Sequence, residues 1–366
     1  MEDMPVWLLV SILGFGLGIA FGATAQRTNF CTMGAISDAV FMEDWNRFRA
    51  WMLAITVAIL GSQLLHLTET VDLSDSIYLS ANLGWAGAII GGLLFGFGMT
   101  MTGGCGNKTL VRLGAGNLKS LVVAVVLGIF AYMTLRGLIG LARVELQAVT
   151  DVDLAAMSMK AQGIPDFLVV LGLPGQIARI GTVAVITGGL LWFCFRSAEF
   201  RASKTDIVGG VIIGALVPAA WYVTGVIGFD EFEPTALASF SFVAPVGESL
   251  QYLMTFTGST INFGIAVVGG VISGAFLAAK SSGEFRIEAF TDADDMIRHI
   301  FGGAIMGIGG VMSLGCTIGQ GITGMSTLAV GSVIALTSIL AGGTLGLKYI
   351  EEGSFSGAVT ALCGRS

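Results

Sequence analysis

Apolar residues run through this chain in long stretches, separated by short polar segments rich in glycine. A helix needs ~20 mostly apolar residues to cross ~30 Å of hydrocarbon. Nine stretches fit that reading, at about 5–25, 50–68, 84–102, 118–136, 177–195, 207–228, 260–280, 299–314 and 328–347. The eighth is short and glycine-rich, and reads either as a full span or as half of a broken helix. The pattern predicts an all-α polytopic membrane protein. It predicts about nine transmembrane helices, with 1–366 as a single transmembrane domain.

Composition sharpens this picture. The chain is 54% hydrophobic and 12% charged, against ~25% charged in soluble domains. That excludes a nucleic-acid binder, which needs a basic stripe, and argues against a soluble enzyme. Five cysteines are too few for a disulfide scaffold. Ala23-Thr24-Ala25 has the shape of a signal-peptide cleavage site, but Met1-Glu2-Asp3 is acidic where a signal peptide is basic. The first stretch is therefore read as a span.

Basic residues set the orientation. Fourteen of the 18 fall in alternate connections and the C-terminal segment, among them Arg27, Arg47, Lys108, Arg112, Lys119, Arg286 and Arg298. By the positive-inside rule the N-terminus is periplasmic and the C-terminus cytoplasmic. Acidic residues gather on the opposite side, as Glu69, Asp72 and Asp75, and as Asp230, Glu231 and Glu233.

The chain also repeats itself. Residues 91–105 read GGLLFGFGMTMTGGC, and 211 residues later 302–316 read GGAIMGIGGVMSLGC, with seven of the fifteen positions identical. A fainter echo joins Thr28-Asn29-Phe30-Cys31 to Ala238-Ser239-Phe240-Ser241. The repeats cover about 1–140 and 205–350, with an extra helix at about 177–195 between them. One extra crossing inverts the second repeat relative to the first, which predicts an hourglass with a site near the midplane.

After spans three and eight the sequence is too polar and too broken by glycine to continue as a lipid-facing helix. Irregular backbone at that depth must be buried in protein or line a cavity. A short re-entrant helix fits, and its free N–H groups favour an anion. Each such segment carries a cysteine, Cys105 and Cys316, and Cys31 marks a third at the end of span one. A neutral thiol is a weak, soft donor, whereas a thiolate would repel an anion or attack sulfane sulfur; the residues leave both open. Gly104, Asn107, Lys108, Gly315, Thr317, Gln320 and Thr323 are further candidates for lining a path. Cys194 and Cys363 read as packing or incidental. No C-x-x-C pair, metal-ligand spacing or nucleotide motif occurs, so no catalytic residue, metal site or cofactor is expected.

At these segments the chain resembles the YeeE/YedE family of sulfur-compound transporters. The matching residues are Arg27-Thr28-Asn29-Phe30-Cys31, Gly103-Gly104-Cys105 and Gly315-Cys316-Thr317-Ile318-Gly319-Gln320-Gly321. Gln320 stands where the family often has histidine. The resemblance implies inward transport of thiosulfate or a related sulfur anion across the bacterial inner membrane. It also implies that the thiols of Cys316, Cys105 and Cys31 relay the ion by weak hydrogen bonds, and that a separate TusA-type sulfur carrier is the cytoplasmic partner. Two alternatives stand beside it. One is a membrane sulfurtransferase working through a cysteine persulfide; the other is a transporter of sulfite or selenium compounds.

Overall fold

The computed structural model describes residues 5–157, 159–230 and 235–363. Met1-Glu2-Asp3, Glu231, Glu233 and the side chain of Cys363 lie outside the described residues. Sixteen α-helices dominate the rest. The long ones are α1 (Val6–Arg27), α3 (Asn46–Leu67), α4 (Trp85–Met101), α6 (Leu118–Arg136), α9 (Gly175–Phe195), α11 (Lys204–Tyr222), α13 (Phe263–Ser282), α14 (Ala293–Met312) and α15 (Val330–Glu352). The shorter ones are α2 (Thr32–Ser37), α5 (Gly106–Gly114), α7 (Leu138–Thr150), α8 (Ile164–Val170), α10 (Ala198–Ala202), α12 (Val243–Met254) and α16 (Phe355–Cys363). A two-stranded antiparallel ribbon, β1 (Asn82–Leu83) with β2 (Val152–Asp153), is the sheet among the described residues.

Every apolar stretch falls on a long helix. Among the described residues eight spans qualify by length and composition to cross a membrane, one fewer than the nine expected, α14 not being among them; the chain is an all-α multi-pass membrane protein. The eighth stretch belongs to α14, a continuous 20-residue helix and not a broken one. It begins six residues before the apolar run, because Asp292 caps it and its first turns carry Asp294, Asp295 and Arg298. Acidic residues at a helix start complement the free N–H groups there.

The helices pair across the two halves of the chain. Helix α1 lies along α13 and α3 along α11; α4 lies against both α14 and α15, and α6 against α14. Lipid supplies no hydrophobic drive for helices to associate, so close packing through small residues does that work. A Cβ at Gly18 of α1 would stand 2.6 Å from the carbonyl oxygen of Val267 on α13. On α4, a Cβ at Gly98 would stand 2.7 Å from the carbonyl oxygen of Gly302 on α14. The connection after α6 folds over one end of the bundle. Ile164 donates its N–H to Leu328 and Gln162 accepts from Val330, both at 2.9 Å.

Gly18→Leu should therefore force α1 from α13 and cost about 3 kcal/mol, the upper range for overpacking. Gly181→Leu on α9, where nothing lies within 4 Å, should leave stability unchanged. Thermal unfolding of the two purified variants in detergent checks the pair.

Candidate functional site

Two chain reversals build the centre of the protein, with the same bonds. At the end of α4, Thr102 Oγ1 donates to the carbonyl oxygens of Gly98 (3.3 Å) and Gly104 (2.9 Å), and Gly104 N–H returns to Met99 (2.9 Å). At the end of α14, Ser313 Oγ donates to Gly309 (2.8 Å) and Gly315 (3.0 Å), and Gly315 N–H returns to Gly310 (2.7 Å). Both turns pass through the left-handed region, at Gly103 (φ 68°) and Leu314 (φ 59°). Each turn then delivers a cysteine to the start of a new helix.

Cys105 precedes α5, and Cys316 precedes a helical stretch that widens to π geometry over Gly319–Gly324. Cys31 in turn precedes α2. All three thiols are buried, at 6%, 0% and 0% exposure for Cys31, Cys105 and Cys316. Two of them accept from the helix they open: Gly34 N–H reaches Cys31 Sγ at 3.5 Å, and Gly319 N–H reaches Cys316 Sγ at 3.4 Å. Cys105 Sγ instead donates to Asn107 Oδ1 at 2.5 Å. The first N–H groups of a helix have no partner within it, so each sulfur sits against a partial positive charge.

The three positions converge. Cys105 neighbours both the Cys31 thiol and the Thr317 hydroxyl. A Cβ on Gly106 would lie 4.0 Å from the Cys316 Cβ and 3.7 Å from that of Phe242. The helix starts at Cys105 and Cys316 therefore meet nearly head to head. Around them, Thr32 Oγ1, Trp51 Nε1, Asn107 Nδ2 and Thr317 Oγ1 are buried without a hydrogen-bond partner. Uncommitted polar atoms of this kind are uncommon in a protein interior, and all four can donate to an anion.

The remaining candidates lie around this core. Lys108 is buried, and its Nζ donates to Asn29 Oδ1 at 3.1 Å. Gly104 keeps its backbone against the Lys108 and Arg112 side chains. Gln320 donates Nε2 to the Ser313 carbonyl at 2.5 Å, closing the end of α14, and its Oε1 has no partner. Thr323 donates to the Phe240 carbonyl at 2.8 Å. Cys194, away from this centre, donates to the Arg49 carbonyl at 3.3 Å. Tyr78, Trp51 and Phe242 were not singled out from sequence, since each reads as an ordinary loop or span aromatic. No residue pattern could have found Trp51, whose ring stacks on Phe30 at 5.8 Å and borders Gly321.

A cavity opens at each end. One, of about 720 Å³, is lined by Lys108, Arg112, Lys119, Arg286 and Arg298, with Asn29 and Lys108 on its thiol side. Its carboxylates are already engaged: Glu284 with Gln26, Glu288 with Asn117, and Asp295 with Lys119 and Arg298. The other, of about 330 Å³, is mainly apolar and reaches Gly315 between Tyr78, Trp221, Ser241 and Phe263. Between the two the thiols close the protein.

A family model described as sulphur transport matches residues 27–345. The chain belongs to the sulphur transport family. This is the YeeE/YedE family that the cysteine segments resemble. Among its relatives, the thiosulfate transporter TsuA of Escherichia coli (strain K12) is 26% identical over 324 residues, covering 84% of this chain and 86% of that protein. The thiosulfate transporter TsuA of Spirochaeta thermophila (strain ATCC 700085 / DSM 6578 / Z-1203) is 29% identical over 321 residues, covering 86% and 92%. In this member of the sulphur transport family no group of three metal-ligating side chains occurs among the described residues.

The paired turns make a local prediction. A left-handed residue with a Cβ costs roughly 1–2 kcal/mol, so Gly103→Leu should lose about that much stability. Leu314→Gly should lose nothing, because it relieves the same strain on the other turn. Thermal unfolding of the two single variants in detergent compares them.

Proposed function

We propose that this protein imports thiosulfate, or a closely related sulfur anion, across the bacterial inner membrane along Cys316, Cys105 and Cys31. The observation that carries this reading is the line of three buried thiols, each opening a short helix, between an apolar cavity and a basic one. A neutral thiol donates weakly to sulfur or oxygen, so it holds an anion without trapping it. The helix starts supply the compensating charge. The relatives named as thiosulfate transporters support thiosulfate as the cargo.

The duplicated turns support the inverted-repeat reading. At an offset near 211, α2 corresponds to α12, α4 to α14 and α6 to α15, and by order along the chain α1 then corresponds to α11 and α3 to α13. Exchanging partners in this way turns the α1–α13 contact into α11–α3, and α4–α15 into α14–α6; all four are present. The two repeats would thus bring Cys105 in from the basic, cytoplasmic side and Cys316 from the periplasmic side. The basic cavity then faces the cytoplasm, where a separate TusA-type carrier would take the product. Direction comes from the solute gradient and its consumption, since a binding site shifts no equilibrium by itself.

The test is thiosulfate uptake by cells lacking other sulfur importers, with Cys105→Ala and Cys316→Ala matched to wild type for membrane abundance. Losing a hydrogen bond to a charged group costs about 1.5–3 kcal/mol, so each variant should transport at least about tenfold more slowly. Uptake independent of both thiols would remove the relay. An added sulfur atom on either thiol during turnover, seen by intact mass, would instead make the protein a sulfurtransferase.

A further inference from the structure

The floor of the basic cavity consists of an unusual pair. Lys108 comes from the first turn of α5 and neighbours both Cys31 and Cys105. Its ammonium has three donors to satisfy. Among the described residues its one hydrogen-bond acceptor is the neutral Asn29 Oδ1, at 3.1 Å. No carboxylate pairs with it, although the same cavity holds Glu284, Glu288 and Asp295, each bonded elsewhere. Nearby Arg47 differs, being paired with Asp38 at 3.3 Å. Buried charges are ordinarily paired, and here the pairing position is held by an amide.

Asn29 itself sits on the turn between α1 and α2, in the left-handed region at φ 51°. The turn carries Cys31 two residues later. A second small cavity, bounded by Thr28, Asn29, Phe30 and Cys31, lies against this turn. The segment 28–31 is therefore a thin partition between the basic cavity and this small one, and it carries Cys31. The Lys108–Asn29 bond ties this partition to α5.

We propose that Lys108 and Asn29 form an anion-selecting inner gate. While the path is empty the ammonium holds Asn29 and the partition is shut. An anion arriving past Cys316 and Cys105 replaces Asn29 as the acceptor for Lys108, the 28–31 turn is released, and the ion passes into the basic cavity. Lys108 is thus the residue that selects for charge, and Asn29 positions it. The inference rests on the thiols lining the path.

The test reads the gate without any sulfur substrate. In full-length protein carrying Cys194→Ala and Cys363→Ala, inside-out vesicles are treated with two membrane-impermeant methanethiosulfonate reagents, one bearing a sulfonate and one a trimethylammonium group. Peptide mass spectrometry follows modification of Cys31 and Cys105. Asn29→Ala should raise the rate for the sulfonate reagent at least about tenfold over the parent and favour it over the cationic one, as a fixed positive charge focuses anions. Adding Lys108→Met to Asn29→Ala should lower the sulfonate-to-ammonium rate ratio by about tenfold, and Lys108→Arg should restore it. A misfolded variant would admit both reagents alike, and a ratio that Lys108→Arg does not restore overturns the gate. An unchanged ratio on removing Lys108, or parental rates in Asn29→Ala, overturns the gate. Charge-dependent labelling together with thiol-independent uptake would retain the gate and reject the relay.

Discussion

The architecture depends on helices that begin inside the membrane. A spanning helix hides its unpaired terminal N–H groups in the water on either side, but α5 and the stretch after Cys316 start amid protein. The cost of an unsatisfied amide at that depth is several kcal/mol. At the stretch after Cys316, and likewise at α2, a cysteine sulfur accepts from these groups; before α5 Cys105 donates to Asn107 instead, and the reversals ahead of Cys105 and Cys316 are stitched by Thr102 and Ser313. What those groups leave unspent is a positive field that favours an anion.

Such an interior can exist only if the surrounding helices come close enough to exclude lipid. Glycine faces do this on both sides of the centre, between α1 and α13 and between α4 and α14, where added Cβ atoms would strike backbone. High glycine content and the polar interior are thus two aspects of one requirement. Helix α9 lies outside it: Gly181, Gly188 and Gly189 face open space, and few of its residues are buried. Its glycines cannot be explained by packing within this chain.

Legibility from sequence followed the range of each interaction. Spans were readable because hydropathy is a property of local stretches. The start of α14 was not, since Asp294 and Arg298 look like a loop until their helical first turn is seen. The cysteines stood out through duplication and through the family resemblance. Their convergence did not, because nothing local brings Cys31 next to Cys105. The Lys108–Asn29 bond spans 79 residues and has no signature in either segment. Gln320 was placed on the path by its motif; much of its amide is spent on closing the end of α14.

The offset that relates the two halves pairs Cys31 with Ser241, which stands beside Gly319 and next to the Phe242 backbone that faces Cys316. One end of the centre therefore holds two adjoining thiols, while the other holds a thiol and a hydroxyl. Serine cannot be cross-linked by oxidation. If Cys316 faces the periplasm, where disulfides form readily, the serine removes a neighbour that could lock that end shut. On that orientation the thiol pair would stand on the side where cellular reductants maintain it, and the difference between the two segments would match the redox asymmetry of the membrane.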